Sequence, residues 1–84
     1  MEIEVTQTGG VTLVVPKGDL DMGTADQMKR TLTELIEKGQ SKLVMDLTGV
    51  AYVDSSGLGA LVAAMKQARA VGGNLKLCGL QEDV

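Results

Sequence analysis

The apolar residues of this chain change their spacing from two to three-and-four and back again. That succession constrains the fold more than any other feature of the sequence. Glu2 to Gln7 alternates polar and apolar residues, the period of a half-exposed strand. Gly9-Gly10 follows as a turn signal, and Val11 to Val15 reads as a second, more buried strand, so the two predict a β-hairpin. Pro16 lacks an N–H and belongs at a strand end or on an edge. The spacing then becomes helical: Met22, Ala25, Met28, Leu32, Leu35 and Ile36 describe one helix face. Asp21 or Thr24 is placed to cap its start, Asp26 suits the positive end of the dipole, Lys38 falls in the last turn and Gly39 supplies a stop. Lys42 to Leu47 is a short apolar run and predicts an interior strand. Thr48-Gly49 is a loop signal, and Val50 to Val53 a short extended or irregular link. From Ser56 the helical period returns, with Leu58, Leu61, Val62, Ala64, Met65, Ala68 and Val71 toward one side and Lys66, Gln67 and Arg69 facing outward. Gly72-Gly73 ends it, and Asn74 to Cys78 alternates as a fourth strand.

The predicted order is β-β-α-β-α-β. Strands separated by helices lie parallel through right-handed crossovers, whereas the hairpin supplies one antiparallel pair. The expected fold is α/β: one small domain over residues 1–84, with a mixed four-stranded sheet and both helices on one face.

Composition narrows the function. Apolar residues make up 44% of the chain, almost all of them Leu, Val, Ala and Met, so the core must be aliphatic. Tyr52 is the only aromatic residue and gives no platform for stacking bases. Net charge is −3, and no basic cluster exceeds the pair Lys29-Arg30, which argues against direct nucleic-acid binding. Histidine is absent. A Ser-His-Asp triad is therefore impossible, and a zinc site built on one cysteine has too few ligands. Neither a cofactor nor a metal is expected. Cys78, the single cysteine, reads as a small hydrophobe in a strand. With no secretory leader and no apolar run of the ~18 residues a membrane span needs, the expected location is the cytoplasm, without membrane insertion.

The stretch "VDSSGLGAL", Val53 to Leu61, is where chemistry would sit. Ser55 and Ser56 fall where a loop becomes a helix, and serine is a favoured N-cap. Gly57 and Gly59 permit tight turning or close packing. A nucleotide cradle is weakly supported, because G-x-x-x-x-G-K-[ST] and a third glycine at dinucleotide spacing are both missing. A nucleophilic serine lacks its base, since Lys66 lies more than two turns along the helix and faces away. A regulatory phosphoacceptor fits the local chemistry: the added phosphate would meet free N–H groups and the positive end of the helix dipole. It would stand next to Asp54, near Asp19 and Asp21 of a neighbouring strand end.

"DSSGLGAL" within a β-β-α-β-α-β order resembles the bacterial anti-sigma factor antagonists of the sulfate transporter and anti-sigma factor antagonist (STAS) domain family. "GDLD" (Gly18 to Asp21), "LVMDLTGVAYVDSSGLGAL" and "GGNLKLCGL" agree with that family's pattern, over nearly the whole chain. The resemblance implies a protein-binding switch and not an enzyme. In its unphosphorylated form it would bind a serine kinase that doubles as an anti-sigma factor, so that the sigma factor is released. Phosphorylation of Ser55 would end that binding and a serine phosphatase would restore it, with Ser56 as second choice of acceptor. ATP and metal would belong to those partners. The resemblance also implies a partner-binding surface of Asp21, Asp54, Ser56, Gly57 and Leu58, although for Asp21 capping of the first helix stands as an alternative.

One departure stands out. Relatives continue with another helix, whereas this chain stops at "LQEDV", so the domain is expected to be short or truncated at its C-terminus. The fourth strand would then be an exposed edge and a route to a homodimer. A second reading within the family is a STAS interaction module without a sigma factor, in a stressosome-like assembly or as an accessory subunit of a lipid transporter. An enzyme would need a base or metal these residues do not offer, and a ligand carrier a cluster of polar groups the sequence does not show.

Overall fold

Gly9 and Gly10 both take positive φ, +57° and +83°. That is the backbone of a tight hairpin turn, and glycine adopts it without a Cβ penalty. The computed structural model describes residues 1–79. In it the turn folds β1 (Glu2–Thr8) back on β2 (Val11–Lys17), in antiparallel register from Glu2↔Lys17 to Thr8↔Val11. Then come α1 (Ala25–Glu37), β3 (Lys42–Asp46), α2 (Ser55–Ala70) and β4 (Asn74–Cys78). β3 runs parallel to β2, and β4 parallel to β3, in the spatial order β1-β2-β3-β4. The expected order and the mixed four-stranded sheet are both found.

Both helices cover one face. The register places Thr12, Val14, Leu43, Met45 and Leu75 on that side, all buried. Onto them pack Met28, Leu32, Leu35 and Ile36 of α1, and Leu61, Ala64 and Ala68 of α2. The buried Thr12 hydroxyl has Gln40 Oε1 as its acceptor at 3.5 Å. Both helices end in the same hydrogen-bond pattern, in which the third residue past the helix reaches back to a carbonyl five earlier. In α1, Gln40 N–H donates to Leu35 O at 2.9 Å; in α2, Gly73 N–H donates to Ala68 O at 2.8 Å.

Several boundaries and faces differ from the sequence reading. β1 runs one residue further than Gln7, and β2 extends through Pro16 to Lys17. Pro16 is next to the last residue of β2, beyond the end of the parallel ladder at Val14↔Met45. β2 is not buried throughout: Val11 and Leu13 lie on the uncovered face, whereas Thr12 and Val14 face the helices. β3 ends at Asp46, and Lys38 is the C-cap of α1 instead of part of its last turn. Met22 is 79% exposed, because α1 starts only at Ala25 and Met22 lies in the turn before it. Cys78 is exposed at the end of β4. The face of α2 differs most from the one its sequence suggests. Its buried residues are Gly57, Ala60, Leu61, Ala64 and Ala68. Small side chains recurring at three and four let this helix lie close to its neighbours, and Leu58, Val62 and Val71 are turned outward. The residues "LQEDV" lie outside the described part, except that Gly79 just precedes them.

Candidate functional site

The loop after β2 and the link after β3 lie side by side. Gly18 N–H donates to Gly49 O at 3.1 Å, Leu20 N–H to Tyr52 O at 2.9 Å and Asp54 N–H to Leu20 O at 3.1 Å. Leu20 and Val53 form a parallel bridge, so the sheet's central pairing resumes beyond the strands themselves. Between the acids Asp19 and Asp21, Leu20 is completely buried and anchors the loop in the core. The link starts from an Asx-type turn. Asp46 Oδ1 accepts the Thr48 hydroxyl at 2.6 Å and the Thr48 N–H at 3.0 Å. Those two bonds, the hydroxyl first, hold the Asp46 carboxyl below the usual carboxylate range.

Asp54, not a serine, is the N-cap of α2. Its extended backbone (φ −96°, ψ −176°) suits a cap, and its Oδ1 accepts the Gly57 N–H at 2.9 Å. Its second oxygen, Oδ2, accepts the Met22 N–H at 3.1 Å. One carboxylate thus ties the start of α2 to the loop ahead of α1. The sequence suggests a serine in the capping role, because serine is a favoured N-cap; the geometry gives that role to Asp54, the residue before, whose carboxylate is as good a cap. Asp54→Ala removes both bonds and is expected to lower stability by about 1–2 kcal/mol. Asp54→Asn keeps an oxygen for Gly57 but offers an N–H₂ to Met22, so it should fall between wild type and Ala in a urea titration. Equal midpoints for all three would show that the tie contributes nothing.

Capping by Asp54 leaves Ser55 and Ser56 as the first two residues of α2, a start one residue earlier than the spacing indicated. Both are exposed. Their backbone N–H groups, and both hydroxyls, have no partner among the described residues. The two serines border different hollows. Ser55 sits beside an apolar groove lined by Leu47, Val53, Leu58, Leu61 and Leu77. Ser56 borders a second groove between the helices, with Met22, Lys29, Gly59 and Ala63. Gly57 is buried because its Cα meets the Leu20 backbone: a Cβ there would fall on the Leu20 carbonyl oxygen and 2.7 Å from Leu20 Cγ. Leu58, one turn from Ser55, is 53% exposed.

Asp21 braces its own loop. Its Oδ1 accepts the Gly23 N–H at 2.9 Å, and its N–H donates to Thr24 Oγ1 at 3.0 Å. Neither expected cap of α1 is made by a side chain. Thr24 holds the N-cap position but uses its hydroxyl on Asp19 O at 2.8 Å, and Ala25 N–H is met by Asp21 O at 2.8 Å. The structure therefore gathers Asp54, Ser55, Ser56 and Leu58 on one surface, joined to the Asp21 loop through the Asp54–Met22 bond, whereas Gly57, expected on the partner-binding surface, is buried against Leu20 and offers no surface of its own. The sequence reading missed Leu20 and the Met22 N–H. Leu20 had a signal, an apolar residue alone among acids and glycines; a backbone donor leaves none.

The family model for the STAS domain matches residues 2–84. The anti-sigma-B factor antagonist of Bacillus subtilis is 34% identical over 82 residues, which is 98% of this chain and 74% of that protein. The structure of TM1081 from Thermotoga maritima superposes with a TM-score of 0.91 at 26% identity, covering 98% of this chain and 71% of the other. SpoIIAA, an anti-sigma factor antagonist, shares the fold at 20% identity, with TM-scores of 0.81 for its unphosphorylated form and 0.79 for its phosphorylated form; each match covers 98% of this chain and 76% of SpoIIAA. Among the described residues no helix is long and apolar enough to cross a membrane. With its strand order, its Asp-Ser-Ser helix start and the family model agreeing along almost its whole length, this chain belongs to the STAS domain family.

Proposed function

We propose that this protein is a cytoplasmic anti-sigma factor antagonist, a binding switch set by phosphorylation of Ser55. The observation that carries the reading is the state of that hydroxyl. It is exposed at the first position of α2 and has no partner among the described residues, while the neighbouring Asp54 already caps the helix. A transferase can reach such an oxygen without opening the fold. In its unphosphorylated form the surface around Ser55, Ser56 and Leu58 receives a serine kinase that is also an anti-sigma factor, and the sigma factor is released. A phosphate on Ser55 brings about −1.5 to −2 charges beside the Asp54 carboxylate. The unpaired N–H groups of the first turn and the helix dipole tolerate that charge, so the scaffold stays folded. The docking face, in contrast, becomes strongly anionic and loses a hydroxyl donor. A phosphatase resets it.

The test uses the kinase with ATP and measures stoichiometry by intact mass. Wild type and Ser56→Ala should take one phosphate and Ser55→Ala none. The phosphorylated protein, and Ser55→Asp, should bind the kinase at least about tenfold more weakly, equivalent to ~1.4 kcal/mol. Full modification of Ser55→Ala would move the acceptor elsewhere and end this assignment.

A further inference from the structure

The sheet has a second face, and no described residue covers it. Alternation puts Val11, Leu13 and Val15 of β2 and Val44 of β3 there, with Val11 39% and Leu13 36% exposed. β2, β3 and β4 are parallel, and parallel sheets are rarely left open on one side. An antiparallel hairpin tolerates a wet face; an apolar stripe running from β2 into a parallel partner is a surface that gains by being covered.

The charges around the stripe are not evenly spread. At one corner the register brings together Glu2, Glu4 and Lys17, with Lys17 held by Glu4 at 3.2 Å, and Asp46 stands at the same end of β3. At the opposite corner are Lys42 and Lys76, neither with an ion-pair partner among the described residues. They flank a hollow floored by Val11, Val44 and Asn74. The face is thus apolar along its middle, acidic at one corner and basic at the other.

We propose that this face binds a second copy of the same chain, sheet against sheet, about a two-fold axis that runs between the two faces and parallel to them, along the diagonal joining the two uncharged corners. Turning the face over on such an axis carries its acidic corner above the partner's basic corner, and the reverse contact follows by symmetry. The two stripes of Val11, Leu13, Val15 and Val44 then meet in the middle, as the inner faces of a β-sandwich do. Pairing through the outer edge of β4, which no described residue covers and which is the route expected from the sequence, is less suitable. Antiparallel pairing centred on that strand sets Lys76 opposite its own copy, and like charges directly opposed are destabilising.

Sedimentation equilibrium of the 84-residue chain at low and high salt tests this. Wild type should pass from one chain mass to two with rising concentration, more weakly at high salt. Leu13→Glu, at an exposed position, should raise the dimer dissociation constant at least tenfold. The charge-reversed variants Lys42→Glu/Lys76→Glu and Glu2→Lys/Glu4→Lys should each be monomeric alone and dimeric when mixed, because mixing restores both opposed corners. A wild type that stays monomeric throughout overturns the proposal. So does a dimer indifferent to Leu13→Glu, or a mixture that fails to associate.

Discussion

Gly57→Ala is expected to destabilise the protein by about 2–3 kcal/mol. Two effects oppose each other. Alanine is the better helix former by about 1 kcal/mol. Its Cβ, however, would fall on the Leu20 carbonyl oxygen, with Leu20 Cγ at 2.7 Å and the Leu20 carbonyl carbon at 2.9 Å. Forcing atoms into a packed site typically costs about 1–3 kcal/mol, and more where backbone must move. Here the nearest obstacle is backbone that is itself hydrogen-bonded to Asp54 N–H, so it cannot swing aside. The clash therefore wins. For a domain whose whole stability is roughly 4–13 kcal/mol at this length, the loss should lower the melting temperature by on the order of 10–20 °C. An unchanged or raised melting temperature would show that α2 shifts outward freely. Adding Leu20→Ala should not rescue it, because shortening the side chain leaves the carbonyl in place.

Leu20→Ala alone is expected to cost about 3–4 kcal/mol, the middle of the ~2–5 kcal/mol range for deleting a fully buried leucine. Its particular interest is where the loosening should appear. Leu20 holds Tyr52 O through its N–H and accepts from Asp54 through its carbonyl, so the void lies directly beneath the Ser55 helix start. Hydrogen exchange at the amides of Leu20, Asp54 and Gly57 should quicken more than at β3. Leu32→Ala, equally buried but within α1, should cost a similar amount without that local bias. If both variants loosen the same amides to the same degree, Leu20 is only one more core residue.

What the sequence revealed and what it hid divide along physical lines. Element order was legible, because spacing of apolar residues is a property of neighbours along the chain and survives in the primary record. The glycine turn, the stops after both helices and the parallel crossovers follow from local backbone rules. The outward turn of Leu58 and Val62 was not legible. Binary patterning ranks leucine and valine above alanine as core formers. The choice here was made by how closely α2 approaches its neighbours, which favours Gly57, Ala60, Ala64 and Ala68. The cap is hidden for a related reason: three consecutive residues, Asp54, Ser55 and Ser56, can all cap, and tertiary bonds from Asp54 to Leu20 and Met22 decide the register. Met22 was placed on a helix face because it fits the three-and-four spacing, yet the bond from its N–H to Asp54 holds it in a turn. The surface of the candidate site was therefore readable as a list of residues but not as an arrangement.

The strands lie across the sheet in the same order in which they occur along the chain. During synthesis each new strand would leave the ribosome to find its neighbour already laid down. No segment has to wait for a later one to be inserted between strands. Such vectorial assembly confines every pairing to strands that are neighbours along the chain, so each parallel crossover closes the shortest loop this topology allows.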